Sequence, residues 1–134
     1  MLPEPHRLHH HSDFSRTVRR GHRIGRRYFV VYALDRATAD LAVDAGLSVP
    51  VLGCGNPRFG LIVSKSVGNA VVRHRVARRL RHVYAALLPN IRPEVDVVVR
   101  ALPPAAAGTS AEFARDLSAA LRRLRVLADG GGTP

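Results

Sequence analysis

Basic side chains that could bind phosphate groups are concentrated between residues 65 and 81. They are Lys65, Arg73, His74, Arg75, Arg78, Arg79 and Arg81, with Asn69 among them. A guanidinium group presents a planar fork of donors that matches the oxygen atoms of a phosphate. No aspartate or glutamate occurs between Asp44 and Glu94, so no acid nearby in the sequence neutralises these charges. The pattern therefore predicts a surface that binds a polyanion.

The same stretch has the hydrophobic period of an α-helix. Apolar residues recur at steps of four, four, three and four, which is close to 3.6 residues per turn. They are Val72, Val76, Leu80, Val83 and Leu87. The arginines lie outside this stripe, and like charges four residues apart weaken an isolated helix by about a few tenths of a kcal/mol. We therefore predict an Arg helix that ends at about Leu88, before Pro89, and that keeps its charges for a polyanionic partner.

Gly68-Asn69, directly before the Arg helix, has two interpretations. A lone Gly-Asn pair is more often a simple turn. A helix N-terminus also presents free N–H groups that can bind phosphate, although the spaced glycines of a P-loop are absent. Because Lys65 precedes the pair and Arg73 follows it, we favour a phosphate contact.

Composition limits the class of protein. The 134 residues are 46% hydrophobic and 23% charged, with 21 basic against 10 acidic residues and a net charge of +11. This surplus indicates nucleic acid or an anionic surface as partner. No apolar run reaches the length of a membrane span or the core of a signal peptide, so we predict a cytoplasmic protein. A single cysteine, Cys54, excludes an internal disulfide and a cysteine-cluster metal site.

No residue pattern typical of hydrolytic catalysis is present. The sequence lacks a nucleophile elbow, a His-Glu-x-x-His zinc helix and a spaced pair of acids in a catalytic context. His9–His11 are interpreted as solvated, because three adjacent histidines cannot all face one ion from a helix or a strand. We therefore predict no catalytic side chain and no metal ligand.

Periodicity and turn signals predict an α-β-β-α-β-α order within one domain, residues 1–134. Ser12 is predicted to cap a first helix that ends at Gly21, and Thr109 with Glu112 has the spacing of a capping box for the last helix. Strands are predicted at 28–34, 58–64 and 95–101, Asp35–Pro57 is a long surface loop, and residues 1–7 and 129–134 are disordered. Such an order favours a single sheet with helices packed on it.

The central motif resembles the signature of the bacterial ribonuclease P protein component family. The motif is Ser64-Lys65-x-x-Gly68-Asn69-Ala70-Val71-x-Arg73-His74-Arg75-x-x-Arg78-x-x-Arg81. Arg7-Leu8, Asp13-Phe14 and Gly21 resemble the family's opening helix, and Arg27-x-Phe29-x-x-Tyr32 resembles its first long strand. The sequence departs from the family pattern at His74, where asparagine is usual, and at Val18, a place that is often aromatic.

The resemblance implies a fold and a function. The implied fold is an α/β sandwich (α+β) of about four strands in αβββαβα order, with a left-handed crossover through the Arg helix and a further strand near His22–Gly25. The implied function is that of an RNA-binding subunit of an endoribonuclease that removes 5′ leaders from precursor tRNA. The catalytic RNA, with bound Mg²⁺, carries the chemistry, and the protein alone is inactive. The implied partners are the catalytic RNA and the leader.

The resemblance also implies which residues bind RNA. It assigns the catalytic RNA to the Arg helix and the loop before it, with Lys65, Asn69, Arg73, His74, Arg75, Arg78, Arg79 and Arg81. It assigns the leader to a cleft between the first helix and the sheet, where Phe14, Tyr32 and Arg27 suit unpaired bases and a phosphate. Phe14 is equally well interpreted as a core residue, whereas the hydroxyl of Tyr32 predicts partial exposure.

Two alternative classes share some of these features. A ribosomal or other structural RNA-binding protein would share the charge and the fold but would not discriminate substrates that carry a leader. A helix-turn-helix DNA-binding protein would need a second short helix just before the Arg helix, where residues 58–64 predict a strand instead.

Overall fold

The computed structural model describes residues 11–36 and 57–127. Its helices and strands follow in αβββαβα order, as the family resemblance implies. They are α1 His11–Arg20, β1 His22–Gly25, β2 Phe29–Asp35, β3 Arg58–Ile62, α2 Ala70–Leu87, β4 Val95–Ala101 and α3 Ser110–Arg123. Short 3₁₀ turns lie at Lys65–Val67, Leu88–Asn90 and Pro103–Ala107. The Arg helix is α2.

Most predicted elements are confirmed, and one predicted cap is wrong. The strand β1 that periodicity missed lies at His22–Gly25, where the resemblance placed it. Helix α1 runs from His11, which places Ser12 inside the helix rather than at its N-cap. The predicted loop residues 37–56 with Cys54, the histidines His9 and His10, and both predicted disordered ends, 1–7 and 129–134, lie outside the described residues.

The four strands form one mixed sheet in the order β1-β2-β4-β3. Strands β1 and β2 are antiparallel, β2 and β4 are antiparallel, and β3 runs parallel to β4. Two adjacent parallel strands need a long crossover connection, and α2 is that connection. The left-handed sense of this crossover stays a prediction.

One face of the sheet holds the main hydrophobic core. Alternate residues of each strand point to it, including Val31 in β2 and Val97 in β4, and both long helices pack there. Helix α2 contributes the stripe Val76, Leu80, Val83 and Tyr84, and α3 contributes Phe113, Leu117 and Leu121. The ring of Phe59 in β3 stacks on the ring of Tyr84, with centroids 4.0 Å apart. The buried stripe of α2 and this ring contact together fix the rotation of the Arg helix about its axis.

The opposite face of the sheet is covered by α1. Here Tyr32 in β2 and Val98 in β4 are buried, and Phe14 and Val18 of α1 pack against them. The sheet is therefore a partition between two layers of helix, with α1 on one side and α2 and α3 on the other.

A buried carboxylate ties the ends of these elements together. Asp96, at the second position of β4, has a fully buried side chain. Arg58 of β3 donates two hydrogen bonds of 2.9 Å to it, from Nε and from a terminal nitrogen. Arg36, just after β2, also donates to Asp96, and Arg16 of α1 lies 4.0 Å away. One acid thus links three other segments of the chain.

Helix α3 has well-defined ends. The Thr109 hydroxyl accepts from Glu112 N–H, and Glu112 Oε1 accepts from Thr109 N–H, which confirms the predicted capping box. The hydrogen bond from the Thr109 backbone N–H lowers the pKa of the Glu112 carboxyl. At the other end, Val126 N–H donates to Leu121 O and Arg125 N–H donates to Arg122 O. This is a Schellman motif, whose left-handed position is usually glycine; here it is Arg125, at φ 61°.

We expect Asp96→Asn to lower the free energy of unfolding by about 3–5 kcal/mol, because removing one partner of a buried ion pair leaves the other charges uncompensated. Asp116→Asn is the matched control. Its pair with Arg26 is 3.3 Å long and partly exposed, so we expect a loss of about 1 kcal/mol or less. Urea denaturation measures both variants, and equal losses would contradict the account.

We expect Arg125→Gly to raise the free energy of unfolding by about 1 kcal/mol, because glycine adopts the left-handed conformation without strain. Arg125→Ala is the control: it removes the same charge but keeps the strained backbone, so thermal unfolding should find it close to the parent. A stabilising effect of alanine equal to that of glycine would assign the gain to charge instead.

Candidate nucleic-acid interface

The start of the Arg helix is built by Gly68 and Asn69. Asn69 is the N-cap, and its side-chain oxygen accepts from Val72 N–H at 2.9 Å. Gly68 lies so close to the helix that a Cβ atom there would come within 2.8 Å of the Val72 side chain. Gly68-Asn69 is therefore a capping turn, and its predicted phosphate contact stays a prediction.

Three of the predicted RNA-binding arginines also bind backbone carbonyls. Arg75 donates to Ala106 O at 3.0 Å, and Arg79 donates to Gly108 O at 2.6 Å, so both brace the loop that leads into α3. Arg73 donates through Nε to Gly68 O at 3.2 Å. All three side chains are half-buried. The sequence could not show these hydrogen bonds. The acceptors of Arg75 and Arg79 lie about thirty residues away in the chain, and the acceptor of Arg73 depends on the conformation of the capping turn.

The other predicted residues form an outward surface on α2 and the turn before it, which we call the outer face. Its members are exposed: Lys65, Asn69, His74, Arg78 and Arg81. Val71, 72% exposed, lies among them. Within residues 11–36 and 57–127, the described ion pairs involve no residue of α2. The charges of the outer face are thus available to phosphate groups.

The predicted leader residues are only partly brought together. Phe14 and Tyr32 meet on the α1 side of the sheet. Tyr32 is only 3% exposed, so the prediction of partial exposure is wrong: α1 and neighbouring strand residues cover the ring. Phe14 is half-buried, which agrees with neither a pure core nor a fully open position. Their binding of the leader stays a prediction.

Arg27 lies elsewhere, in the turn between β1 and β2. Its guanidinium carbon is 5.3 Å from the centre of the Tyr28 ring. Tyr28 contacts Phe113 of α3 edge-on and belongs to the main core on the other side of the sheet. The structure therefore does not place Arg27 beside Phe14 and Tyr32.

Two arginines that the sequence pattern did not reveal lie on the side of the sheet that α1 covers, which we call the α1 face. Arg23 of β1 is the cross-strand neighbour of Tyr32, and Arg100 of β4 is the neighbour of Val30 and Ile62. Directly opposed residues share a face of the sheet, and both arginines are exposed. Alternation along β4, where Arg100 has the parity of Asp96 and Val98, is a signal that could have found one of them.

The described part of the chain contains no group of three or more His, Cys, Asp or Glu side chains that could hold a metal ion. Nor does any helix there have the length and apolar character needed to cross a membrane.

Comparisons with known proteins agree on one family. The family model described as Ribonuclease P matches residues 2–125. The chain is 57% identical to the ribonuclease P protein component of Nocardia farcinica, over all of this chain and 90% of that protein. It is 47% identical to that of Corynebacterium diphtheriae, over 92% and 97% of the two chains.

Solved structures give the same result. The RNase P protein of Staphylococcus aureus superimposes with a TM-score of 0.72 and 27% identity, over 91% of this chain and 97% of that chain. The fold of the Thermotoga maritima protein is also similar, with a TM-score of 0.67 and 21% identity, over 87% and 96%. These findings favour the resemblance over the ribosomal and DNA-binding alternatives. The chain belongs to the ribonuclease P protein family: it is the protein subunit that assists this ribonucleoprotein endoribonuclease in the 5′ processing of tRNA.

Proposed function

We propose that the outer face of the Arg helix binds the catalytic RNA of ribonuclease P. The observation that carries this proposal is the exposure of Lys65, His74, Arg78 and Arg81 on one surface, from a segment that contains no acid. Affinity from such a surface is electrostatic and depends on salt, since each phosphate contact releases counterions. Arg73, Arg75 and Arg79 keep further donors for RNA, but their first role is to hold the helix and its neighbouring loop.

The second part of the proposal is that the α1 face binds the 5′ leader of precursor tRNA. Arg23 and Arg100 supply exposed charge there, and half-buried Val30, Ile62 and Phe14 supply apolar surface. Phosphate contacts combined with apolar and aromatic contacts suit single-stranded RNA of any sequence. Tyr32 is buried beneath this surface and packs against the residues that form it. Arg27 could contact a leader only if the leader passed around the β1–β2 turn.

We further propose where the metal ion, the chemistry and the partners of the reaction lie. Mg²⁺ is bound chiefly by the catalytic RNA, which supplies the chemistry, while this chain binds and orients RNA. The protein works in the cytoplasm, with the catalytic RNA and the leader as its partners.

Reconstitution with the cognate catalytic RNA and a precursor tRNA tests this function. We expect the protein to increase cleavage by the RNA at low Mg²⁺ and to cut nothing by itself. Cleavage by RNA-free protein that survives nuclease treatment would contradict the assignment of catalysis to the RNA. An RNA whose cleavage is unaffected by the protein would contradict its role as a subunit.

We expect Arg78→Ala and Arg79→Ala to differ, although they are adjacent and remove the same charge. Arg78→Ala should weaken binding to the catalytic RNA and reduce the salt slope by about one, because one phosphate contact is lost. Arg79→Ala should mainly lower the free energy of unfolding, by about 1–2 kcal/mol, since its hydrogen bond to Gly108 O is lost. Filter binding across a salt series and urea denaturation measure the two effects, and the reverse pattern would refute the division.

We expect Arg100→Ala to lower the ratio of the holoenzyme's affinity for precursor tRNA to its affinity for mature tRNA. The reason is that only the precursor carries a leader across the α1 face. Arg115→Ala is the matched control, because Arg115 is an exposed arginine of α3 on the other side of the sheet. Both ratios are measured at one salt and one Mg²⁺ concentration. An unchanged ratio in Arg100→Ala would remove this residue from the leader site.

A further inference from the structure

A groove runs between the Arg helix and the edge of the sheet. Its volume is about 280 Å³, and it is lined by Leu61, Val63, Ala70, Arg73, His74, Ala77 and Arg81. The strand on its floor, β3, is last in the sheet order and pairs only with β4 among the described strands. One backbone edge of β3 therefore has no strand partner in the described part of the chain.

The lining divides into an apolar floor and a cationic rim. Leu61, Val63 and the two alanines present only hydrocarbon. Arg73, His74 and Arg81 surround them, and no acid takes part. A flat apolar ring with an attached anion fits this arrangement, because the ring would cover the floor while the anion meets the arginines. Within the described part of the chain Arg73 donates through Nε alone, to Gly68 O, so its two terminal nitrogens remain for this purpose.

His74 stands on the ridge between this groove and a second one. The second groove, of about 460 Å³, lies across the helix and is lined by Ala70, Val71, His74, Arg75 and Arg78. The imidazole is exposed, and exposed Val71 lies one turn before it. An aromatic face at this place can stack on a base, which the asparagine usual at this position in the family could not do in the same way.

We propose that the groove between β3 and the Arg helix binds one unstacked nucleotide of the catalytic RNA. The base lies against Leu61, Val63 and Ala77, the His74 ring stacks on it or on its neighbour, and the phosphate meets Arg73 and Arg81. This inference rests on the proposed function of the outer face.

The groove favours a single nucleotide over a duplex. Bases within an A-form duplex are stacked and inaccessible in its deep major groove, so a duplex could use the cationic rim but not the apolar floor. The volume is just below the range of pockets for drug-sized ligands, which suits one nucleotide rather than a longer segment.

The first test uses the full chain and nucleoside monophosphates. Backbone NMR signals are followed during titration with AMP, GMP, CMP and UMP, and with ribose 5-phosphate as the base-free control. We expect at least one nucleotide to shift the signals of Leu61, Val63 and Ala77 and to bind roughly 5- to 150-fold more tightly than ribose 5-phosphate, the ratio that corresponds to one stacked base. Equal affinity for ribose 5-phosphate and all four nucleotides would overturn the proposal.

The second test fills the groove without changing the charge. Ala77→Leu places a larger side chain on the floor, and Ala86→Leu is the matched control, because Ala86 is an exposed alanine of the same helix outside the groove. We expect Ala77→Leu to weaken binding to the catalytic RNA by roughly 5- to 150-fold with an unchanged salt slope. Circular dichroism checks that both variants keep the parent's helix content.

The outcomes separate this inference from the proposed function. If Ala77→Leu binds the catalytic RNA as Ala86→Leu does, the groove holds no nucleotide, although the reconstituted enzyme can still cleave precursor tRNA. If the parent protein neither binds nor assists the catalytic RNA, the proposed function fails, and the proposal of an RNA nucleotide in the groove fails with it.

Discussion

The buried carboxylate of Asp96 is the interaction on which both proposed RNA surfaces depend. Its partners come from α1, from the end of β2 and from the start of β3. Burying a lone charge is very costly, whereas a buried charge with several hydrogen bonds is tolerated. The network therefore holds α1 on its side of the sheet and fixes where β3 begins, which in turn sets the place of the Arg helix.

The sheet keeps the two proposed RNA surfaces apart. Helix α1 covers one face, and the Arg helix packs on the other with its stripe of Val76, Leu80 and Val83. Under the proposed function, arginines on the two sides would therefore contact different RNA segments without competing for the same phosphates. Within the Arg helix a second division exists, because Arg75 and Arg79 point to backbone carbonyls while Arg78 and Arg81 point outward. A helix so rich in like charges is held in place partly by its own arginines.

Local patterns predicted the elements that local physics determines. Strand β4 has the predicted bounds, Val95–Ala101, because a segment with four valines lies between Pro93 and a Pro/Ala loop. The capping box of α3 and the buried stripe of α2 were also readable from spacing alone. Strand β1 was not, since its four residues, HRIG, carry no hydrophobic alternation; they form a strand because β2 pairs with them.

The parts of the site that sequence could not predict depend on contacts distant in the chain. The burial of Tyr32 follows from α1 lying over the sheet, which no periodicity within β2 reports. The separation of Arg27 from Phe14 and Tyr32 follows from the β1–β2 turn, which directs it towards Tyr28 and α3. Arg23 and Arg100 become neighbours of the α1 face only through strand register. The resemblance to the family supplied the topology and the partner RNA, but not these side-chain positions.

Mapping both RNA segments from two tethered cleavage probes tests the central claim most directly. In a Cys54→Ser background, Val71→Cys carries an iron chelate on the outer face. Gly25→Cys carries it on the α1 face, where a Cβ atom meets nothing within 4 Å. In the holoenzyme bound to precursor tRNA, we expect hydroxyl radicals from position 71 to cut the catalytic RNA and those from position 25 to cut the leader. Leader cleavage from position 71, or none from position 25, would contradict the division of the two surfaces by the sheet.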